Sequence, residues 1–428
     1  MPQKADIERV KNLATGDARR SVPLPDTASM LVKRLNDAMN YWDENPDVYH
    51  MASENKNIEQ HHTVDHPSSA FSAMERYLIS ASRQILNMGK RSSSPADFQH
   101  IQSCMDASVN EQLDIELPYE SVPKPERRVA LTNAKSAPDD INTALDDGVL
   151  LLCYIEFSEL GKEKISICSG FAVQGGDKLA STDTEASGPI IVSCAHTLES
   201  VMQNYVKPKG SSADNESIVL AMTRLGHIYP VHTLLSYLPG QDLSLFQLSP
   251  NAYSFDLDSF QVTPLHDTSM RTLPVSPYPA VINTELSVSS FGGWVPDATA
   301  GSFSIKEGLT QHDVVRNRWA HAKLTGYRDP IGRQAETGTY DELAQLDFQL
   351  DWDSEETPES LREAAMRSTA VFPIPGSSGG PVVDIHSGCV VGVVRGQRSS
   401  ELGDVRGDAV PAEKIFEFFA LPGLGKRK

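Results

Sequence analysis

The hexapeptide Gly376-Ser377-Ser378-Gly379-Gly380-Pro381 places two serines among residues that permit unusual backbone conformations. Glycine lets the chain adopt strained dihedral angles and lets a substrate carbonyl approach the backbone closely. This setting suits a serine that acts as an acyl-transfer nucleophile, with the amides of Gly376 and Ser378 converging on one oxyanion. The same string is also typical of a turn or a flexible linker. A base and an orienting acid elsewhere in the chain are needed to decide between the two.

Candidates for both groups lie upstream of the hexapeptide. His196 ends the run IIVSCAH at 190–196, which predicts a buried strand followed by small residues. A histidine at a strand end can face a cleft and act as a general base near neutral pH. Asp242 directly precedes the alternating segment LSLFQL at 243–248. An acid in that place can lie beneath the imidazole, fix its tautomer and stabilise the imidazolium.

The order His196, Asp242, Ser378, each in its expected local context, resembles the chymotrypsin-fold (trypsin-like) serine proteases over about 145–420. The motifs PGSSGGP at 375–381 and AVPAEKI at 409–415 are similar to those of HtrA-type and fungal intracellular trypsin-like peptidases. The resemblance implies that Ser378 is the nucleophile, His196 the base and Asp242 the orienting acid. It also implies an oxyanion hole made by the amides of Gly376 and Ser378. The implied fold is mainly β, with two antiparallel six-stranded barrels and the triad in the cleft between them.

Alternatives exist for two of these residues and for the function. Ser377 is less suitable as the nucleophile because it breaks the Gly-x-Ser-Gly-Gly register, and Asp256 and Asp258 lack a following apolar strand. We expect a serine endopeptidase that forms an acyl-enzyme. The alternative is an inactive protease fold that serves as a protein-binding module, since a fold by itself does not fix function. An α/β-hydrolase is disfavoured because its serine precedes the acid and its histidine comes last.

Periodicity divides the chain into two parts. Apolar stripes at helical spacing predict an α-helical N-terminal region over 1–140, a possible surface for a protein partner. Two of these stripes are Phe71, Met74, Leu78, Ala81 and Ile85, and then Phe98, Ile101 and Met105. Short apolar runs separated by polar turns predict a protease domain over 141–428. We place the first barrel at about 145–250, the second at about 284–400 and a C-terminal helix at about 411–420.

The segment 328–367 is interpreted as an acidic insert in the second barrel. It carries nine acids against one base between Asp341 and Glu363. Such runs are usually solvated surface, but the position just before the hexapeptide makes a gating loop the alternative. Secreted trypsins have an aspartate immediately before the nucleophile, which pairs with a newly cleaved N-terminus, and Ser377 occupies that place. The resemblance therefore implies activity that does not depend on N-terminal cleavage, or control by the extension or the insert.

The resemblance also implies a substrate pocket built from residues shortly before the serine and from the strand near 393–396. Phe372, Ile374 and Val394 favour a small or apolar pocket, whereas Arg395 would favour an acidic substrate residue. No acid occurs from 369 to 375, so a preference for Lys or Arg at P1 is not expected.

Composition limits the cofactors, partners and location. The formal charge of −19, from 38 basic and 57 acidic residues, argues against nonspecific nucleic-acid binding. No apolar run is long enough to span a bilayer and the start lacks a secretory signal, so we expect an intracellular, cytoplasmic protein without a membrane partner. Five cysteines show no metal-ligand spacing, and Cys168 and Cys194 are expected as thiols packed near one another. Zinc-type ligands occur at His61, His62, Asp65 and His66, but a polar loop is the favoured interpretation. No metal or cofactor is expected, and the expected substrates are proteins or peptides.

Overall fold

A computed structural model describes most of the second of two compact units, which spans Gln60–Lys428. The described residues are 73–89, 95–131, 147–157, 163–175, 188–205, 216–256, 261–265, 269–290, 318–351, 373, 376–399 and 405–420. The histidine-rich cluster at 61–66 and Phe71 lie outside these ranges.

The first barrel closes through six antiparallel strands. They are β1 (Val149–Phe157), β2 (Glu163–Val173), β3 (Ile190–Cys194), β4 (Glu216–Thr223), β5 (Ile228–Leu238) and β6 (Leu243–Leu248). The order is β4-β1-β2-β3-β6-β5, and β5 pairs back to β4. Strand β1 is apolar on both faces because alternate residues enter different cores, Leu151 in one and Leu152 in the other. A hairpin of β7 (Ala252–Asp256) and β8 (Gln261–Leu265), which lies between the spans predicted for the two barrels, extends the sheet.

The second barrel closes in the same way. Its strands are β9 (Glu285–Ser290), β10 (Arg318–Arg328), β12 (Gln345–Leu350), β13 (Pro381–Asp384), β14 (Val390–Ser399) and β15 (Val405–Pro411), with the short β11 (Gln334–Ala335) outside the closed ring. The order is β10-β12-β15-β14-β13-β9, and β9 pairs back to β10. The predicted fold of two antiparallel six-stranded β-barrels is therefore confirmed. The expected C-terminal helix is a 3-10 helix, Ala412–Phe418.

The interpretation of 328–367 as an insert is wrong for its central part, because β12 is a strand of the second barrel. Leu346, Phe348 and Leu350 alternate into the barrel core. Asp347 is also buried, and its Oδ2 accepts a hydrogen bond from Nε of Arg328 at 2.7 Å. The count of acids hid this strand in the sequence, since one of the acids is buried and paired. Residues 352–372 lie outside the described ranges.

Two helices precede the barrels and pack on the first of them. Helix α1 (Ala73–Gly89) buries Leu78, Ala81 and Ile85, and α2 (Phe98–Ala107) buries Phe98, Ile101 and Met105, which confirms the predicted stripes as far as the structure describes them. The side chain of Asp97 caps α2 by accepting the amide of His100 at 2.7 Å. The amide of Phe98 donates to Oγ of Ser217 in β4 at 2.9 Å, which ties α2 to the barrel.

Residues 108–131, which we call the strap, run across both barrels. The amide of Asn110 donates to the carbonyl of Tyr237 in the first barrel at 2.9 Å. The amide of Val129 donates to the carbonyl of Gly388 in the second barrel, also at 2.9 Å. The helices and the strap are thus held against the barrels, and the domain boundary near 140 stays a prediction.

No helix within the described ranges is long and apolar enough to cross a membrane.

Candidate active site

His196 is the second residue of helix α3 (Ala195–Asn204), which begins where β3 ends. The first amides of a helix lack partners within the helix. Here Oδ1 of Asp242 accepts two of them, from Ala195 at 3.1 Å and from His196 at 2.8 Å. A side chain distant in sequence therefore caps α3, and a negative charge is favourable at that end of a helix.

Asp242 reaches this position through an unusual backbone conformation. It follows a 3-10 turn at Pro239–Gln241 and has φ 58° and ψ 40°, in the left-handed region. Aspartate is one of the few residues other than glycine that adopt this region. The conformation directs the carboxylate toward the end of β3, and the neighbouring β6 pairs there with β3 by placing Leu243 opposite Cys194.

The imidazole of His196 lies against this carboxylate. Its Nδ1 is 2.9 Å from Oδ2 and 3.0 Å from Oδ1 of Asp242. Burial raises the pKa of Asp242, but the hydrogen bonds and charge of His196 and the charge of Arg395 outweigh it, so the pKa lies below its ordinary value. Burial lowers the pKa of His196, whereas the neighbouring Cys194 and the bond to Asp242 raise it, and the net direction is upward. The pair can therefore stabilise an imidazolium.

The hexapeptide packs as a loop on β2 and β3. Gly376 and Gly379 have φ 87° and 84°, which requires glycine or incurs strain. A Cβ on Gly379 would lie 2.1 Å from the carbonyl oxygen of Ser169 and 2.5 Å from Oγ of Ser193. Ser169 also fixes the loop directly, because its amide donates to the carbonyl of Ser378 at 2.7 Å and its Oγ to that of Gly376 at 2.7 Å. The loop is therefore seated beside the end of β3, where His196 follows.

The two serines of the loop have different surroundings. Oγ of Ser378 donates to the backbone carbonyl of Arg395 at 3.0 Å, and this side chain is half-buried. Ser377 is fully buried, and its Oγ has no hydrogen-bond partner within the described part of the chain. Ser378 is thus the better placed of the two for chemistry.

Of the residues suggested for a substrate pocket, two can be located. Val394 is fully buried in the core of the second barrel. Nε of Arg395 donates to Oδ2 of Asp242 at 3.2 Å, so this guanidinium is bound to the candidate acid. Phe372, Ile374 and the rival acid Asp258 lie outside the described ranges, and Asp256 ends β7. The pocket remains a prediction.

The two expected neighbouring thiols lie next to this site. Cys168 and Cys194 are both free and buried, and their side chains are in hydrogen-bonding contact. Cys194 also contacts the side chain of His196. Burial raises the pKa of Cys168, which keeps it a neutral thiol. Over the ranges that the structure describes, no group of three or more His, Cys, Asp or Glu side chains could hold a metal ion.

Comparison with protein families bears on these motifs directly. The Trypsin-like peptidase domain matches residues 168–393, which is more than half of the chain and includes His196, Asp242 and Ser378. This chain belongs to the trypsin-like peptidase family. The resemblance predicted from the sequence motifs is therefore confirmed.

Other comparisons add less about this trypsin-like peptidase. It is similar to the solved structure of an HtrA-type protease with decapeptide, at 11% sequence identity and a TM-score of 0.33. The match covers 62% of this chain and 60% of that protein, so the chain spans less than two thirds of its length. That likeness is too remote to bear on function. No match was found among curated proteins.

Sequence reasoning missed what Ser169 and Arg395 do in this trypsin-like peptidase. Ser169 holds the loop from β2, and Arg395 contacts both Ser378 and Asp242. These contacts leave no local signal in the sequence, because each joins residues that are 17 or more positions apart. The mid-strand serine and arginine are each unremarkable by themselves.

Proposed function

We propose that this trypsin-like peptidase is a serine endopeptidase that hydrolyses peptide bonds in proteins or peptides through an acyl-enzyme. The observation that carries the proposal is the bond between Nδ1 of His196 and the carboxylate of Asp242, 2.9 Å long, beside the seated Ser378 loop. Family membership supports peptidase chemistry.

Acylation begins at Ser378. A neutral imidazole that donates its Nδ1 proton to Asp242 presents Nε2 as the proton acceptor. A hydroxyl has a single proton, so the Ser378 bond to the Arg395 carbonyl must be released before that proton passes to Nε2. Oγ then attacks the scissile carbonyl carbon, and the imidazolium that forms is stabilised by Asp242.

The second half of the reaction returns the protons. His196 donates its Nε2 proton to the leaving amine, which departs and leaves the acyl group on Oγ. Water, deprotonated by the same nitrogen, attacks the acyl carbon and releases the acid and the Ser378 hydroxyl. The amides of Gly376 and Ser378 would hold the oxyanion in both tetrahedral intermediates. Loss of one such donor typically costs about 3 kcal/mol in the barrier.

A small or apolar P1 side chain is the specificity that we propose. The guanidinium of Arg395 is bound to Asp242, which argues against its use for an acidic P1 residue. Profiling of the purified protein with a peptide library randomised at P1 tests this. Cleavage mainly after acidic or basic residues would contradict it.

A fluorophosphonate probe, which labels activated serines, tests the proposed function. We expect the full chain to be labelled, Ser378→Ala to lose labelling and Ser377→Ala to keep it. Labelling without N-terminal processing is also expected, because Ser377 cannot form the ion pair that activates secreted trypsins. Absence of labelling in the full chain and in a form cleaved near residue 145 would instead favour the alternative of an inactive protease fold that serves as a binding module.

A further inference from the structure

A bulge in β14 places Arg395 against two members of the proposed triad. The ladder between β14 and β15 pairs Val394 with Ala409 and then Gly396 with Asp408, so Arg395 bulges from it. Bulges next to active sites commonly redirect a side chain. Here the backbone carbonyl of Arg395 accepts the Ser378 hydroxyl at 3.0 Å, and its Nε donates to Oδ2 of Asp242 at 3.2 Å.

We propose that Arg395 is a positioning residue for the catalytic acid and that, together with Asp408, it sets the charge that His196 experiences. This inference rests on the proposed function, since it assigns to Asp242 the role of orienting acid.

Oδ2 of Asp242 lies close to both His196 and Arg395. This oxygen lies 2.9 Å from Nδ1 of His196 and 3.2 Å from Nε of Arg395. A charged donor holds a carboxylate more firmly than a neutral one, and a guanidinium retains its charge at any pH the protein survives. The side chain of Arg395 is only 33% exposed, so solvent screens its charge incompletely. Arg395 therefore offsets part of the negative charge that Asp242 would otherwise present to the imidazole.

The negative charge of Asp408 opposes the positive charge of Arg395. Its Oδ2 lies 4.0 Å from the guanidinium of Arg395 and 3.4 Å from Nε of Arg398. In the β12–β15 ladder it stands opposite Asp347, which is bound by Arg328. A row of buried acids with arginines beside them thus continues from Asp242 into the second barrel. Burial of a charge costs free energy unless the charge is paired. Close packing alone therefore does not account for this arrangement of charged side chains.

Other titratable groups near Asp242 are the same in every variant proposed for the test. Tyr237 of β5 faces Asp242 and donates its hydroxyl to Glu199 of α3. Cys194 lies beside both His196 and Asp242. None of these residues is substituted in the variants compared, so we attribute shifts in the titration of His196 relative to the parent to the charges of Arg395 and Asp408.

The test is an NMR titration of the His196 imidazole in the full chain, carried out with Ser378→Ala so that no proteolysis interferes. Arg395→Met removes the charge but keeps much of the volume, and we expect the pKa of His196 to rise by about one unit. Asp408→Asn leaves the arginine charge less opposed, and the pKa should fall. Arg395→Lys keeps the charge and should stay within about 0.3 unit of the parent.

The same signs should appear in the active chain. The acidic limb of the kcat/KM profile should move to higher pH in Arg395→Met and to lower pH in Asp408→Asn. Unchanged titration of His196 in Arg395→Met, or shifts of the same sign in both variants, would overturn the inference. If Arg395→Met does not fold, the fall in Asp408→Asn decides by itself. Failure of the proposed function shows separately, as absent fluorophosphonate labelling, and leaves the titration readable.

Discussion

Substitution of Gly379 by alanine tests whether the Ser378 loop is fixed by close contact with the first barrel. The new Cβ would lie 2.1 Å from the Ser169 carbonyl oxygen, 2.5 Å from Oγ of Ser193 and 2.8 Å from the amide nitrogen of Cys194. Two of these are backbone atoms of barrel strands and cannot move without disturbing the ladders. The residue also has φ 84°, which L side chains rarely adopt.

Two contributions give the expected magnitude. The left-handed conformation costs alanine about 1 kcal/mol or slightly more. Overpacking in a well-filled site adds about 1 to 3 kcal/mol. We therefore expect Gly379→Ala to lower the free energy of unfolding by about 3 kcal/mol, and to abolish fluorophosphonate labelling because Ser378 is displaced.

Two glycines provide matched controls in denaturant unfolding of the full chain. Gly332 has φ 85° but, among the described residues, its Cβ would meet nothing within 4 Å, so Gly332→Ala should show the conformational cost alone. Gly326 lacks both the positive φ and any described neighbour within that distance, so Gly326→Ala should be nearly neutral or slightly favourable. If Gly379→Ala destabilises no more than Gly332→Ala and still labels, the loop is not held by the contacts described.

Three further outcomes are expected. Ser377→Ala should leave stability unchanged or raise it by up to about 1 kcal/mol in urea unfolding, because the buried Oγ has no partner in the described structure; a loss above about 2 kcal/mol would reveal one. Phe98→Ala should lower the free energy of unfolding by about 3 to 5 kcal/mol, since Phe98 fills the contact between α2 and the first barrel. Alanine in place of the exposed Gln99 should cost almost nothing, and equal effects of the two changes would mean that α2 does not pack on the barrel. Burial raises the pKa of Glu413 to about 7, so the stability contributed by its protonated form is complete at acidic pH and lost as pH rises through 7. Glu413→Gln should therefore raise the free energy of unfolding at pH 8 by roughly 1 kcal/mol, after allowance for the partial exposure of Glu413, and leave it unchanged at pH 5. A gain in stability that is independent of pH would refute this.

Much of the architecture could be predicted from local pattern. The run LSLFQL at 243–248 is delimited in the sequence at the residues where β6 begins and ends, because it is a short apolar segment bounded by polar turns. The apolar stripe of α1 is also predicted from the sequence, since Leu78, Ala81 and Ile85 share one helical face. The stripe of α2 is predicted in the same way. Strand β12 was not recognised, because the acids in and around it are typical of solvated surface and only the barrel supplies Arg328 as a partner for Asp347.

The candidate site divides in the same manner. Residue type and order in the sequence were sufficient to nominate His196, Asp242 and Ser378, because acyl-transfer chemistry needs these three groups and their motifs are local. The sequence could not show that Asp242 is left-handed, caps α3 and binds Arg395, since these properties require strands distant in sequence to meet. It assigned Arg395 to a substrate pocket, whereas the bulge in β14 directs that guanidinium to Asp242. Local chemistry thus nominated the candidate catalytic groups, and only the closure of the two barrels decided which charges surround them.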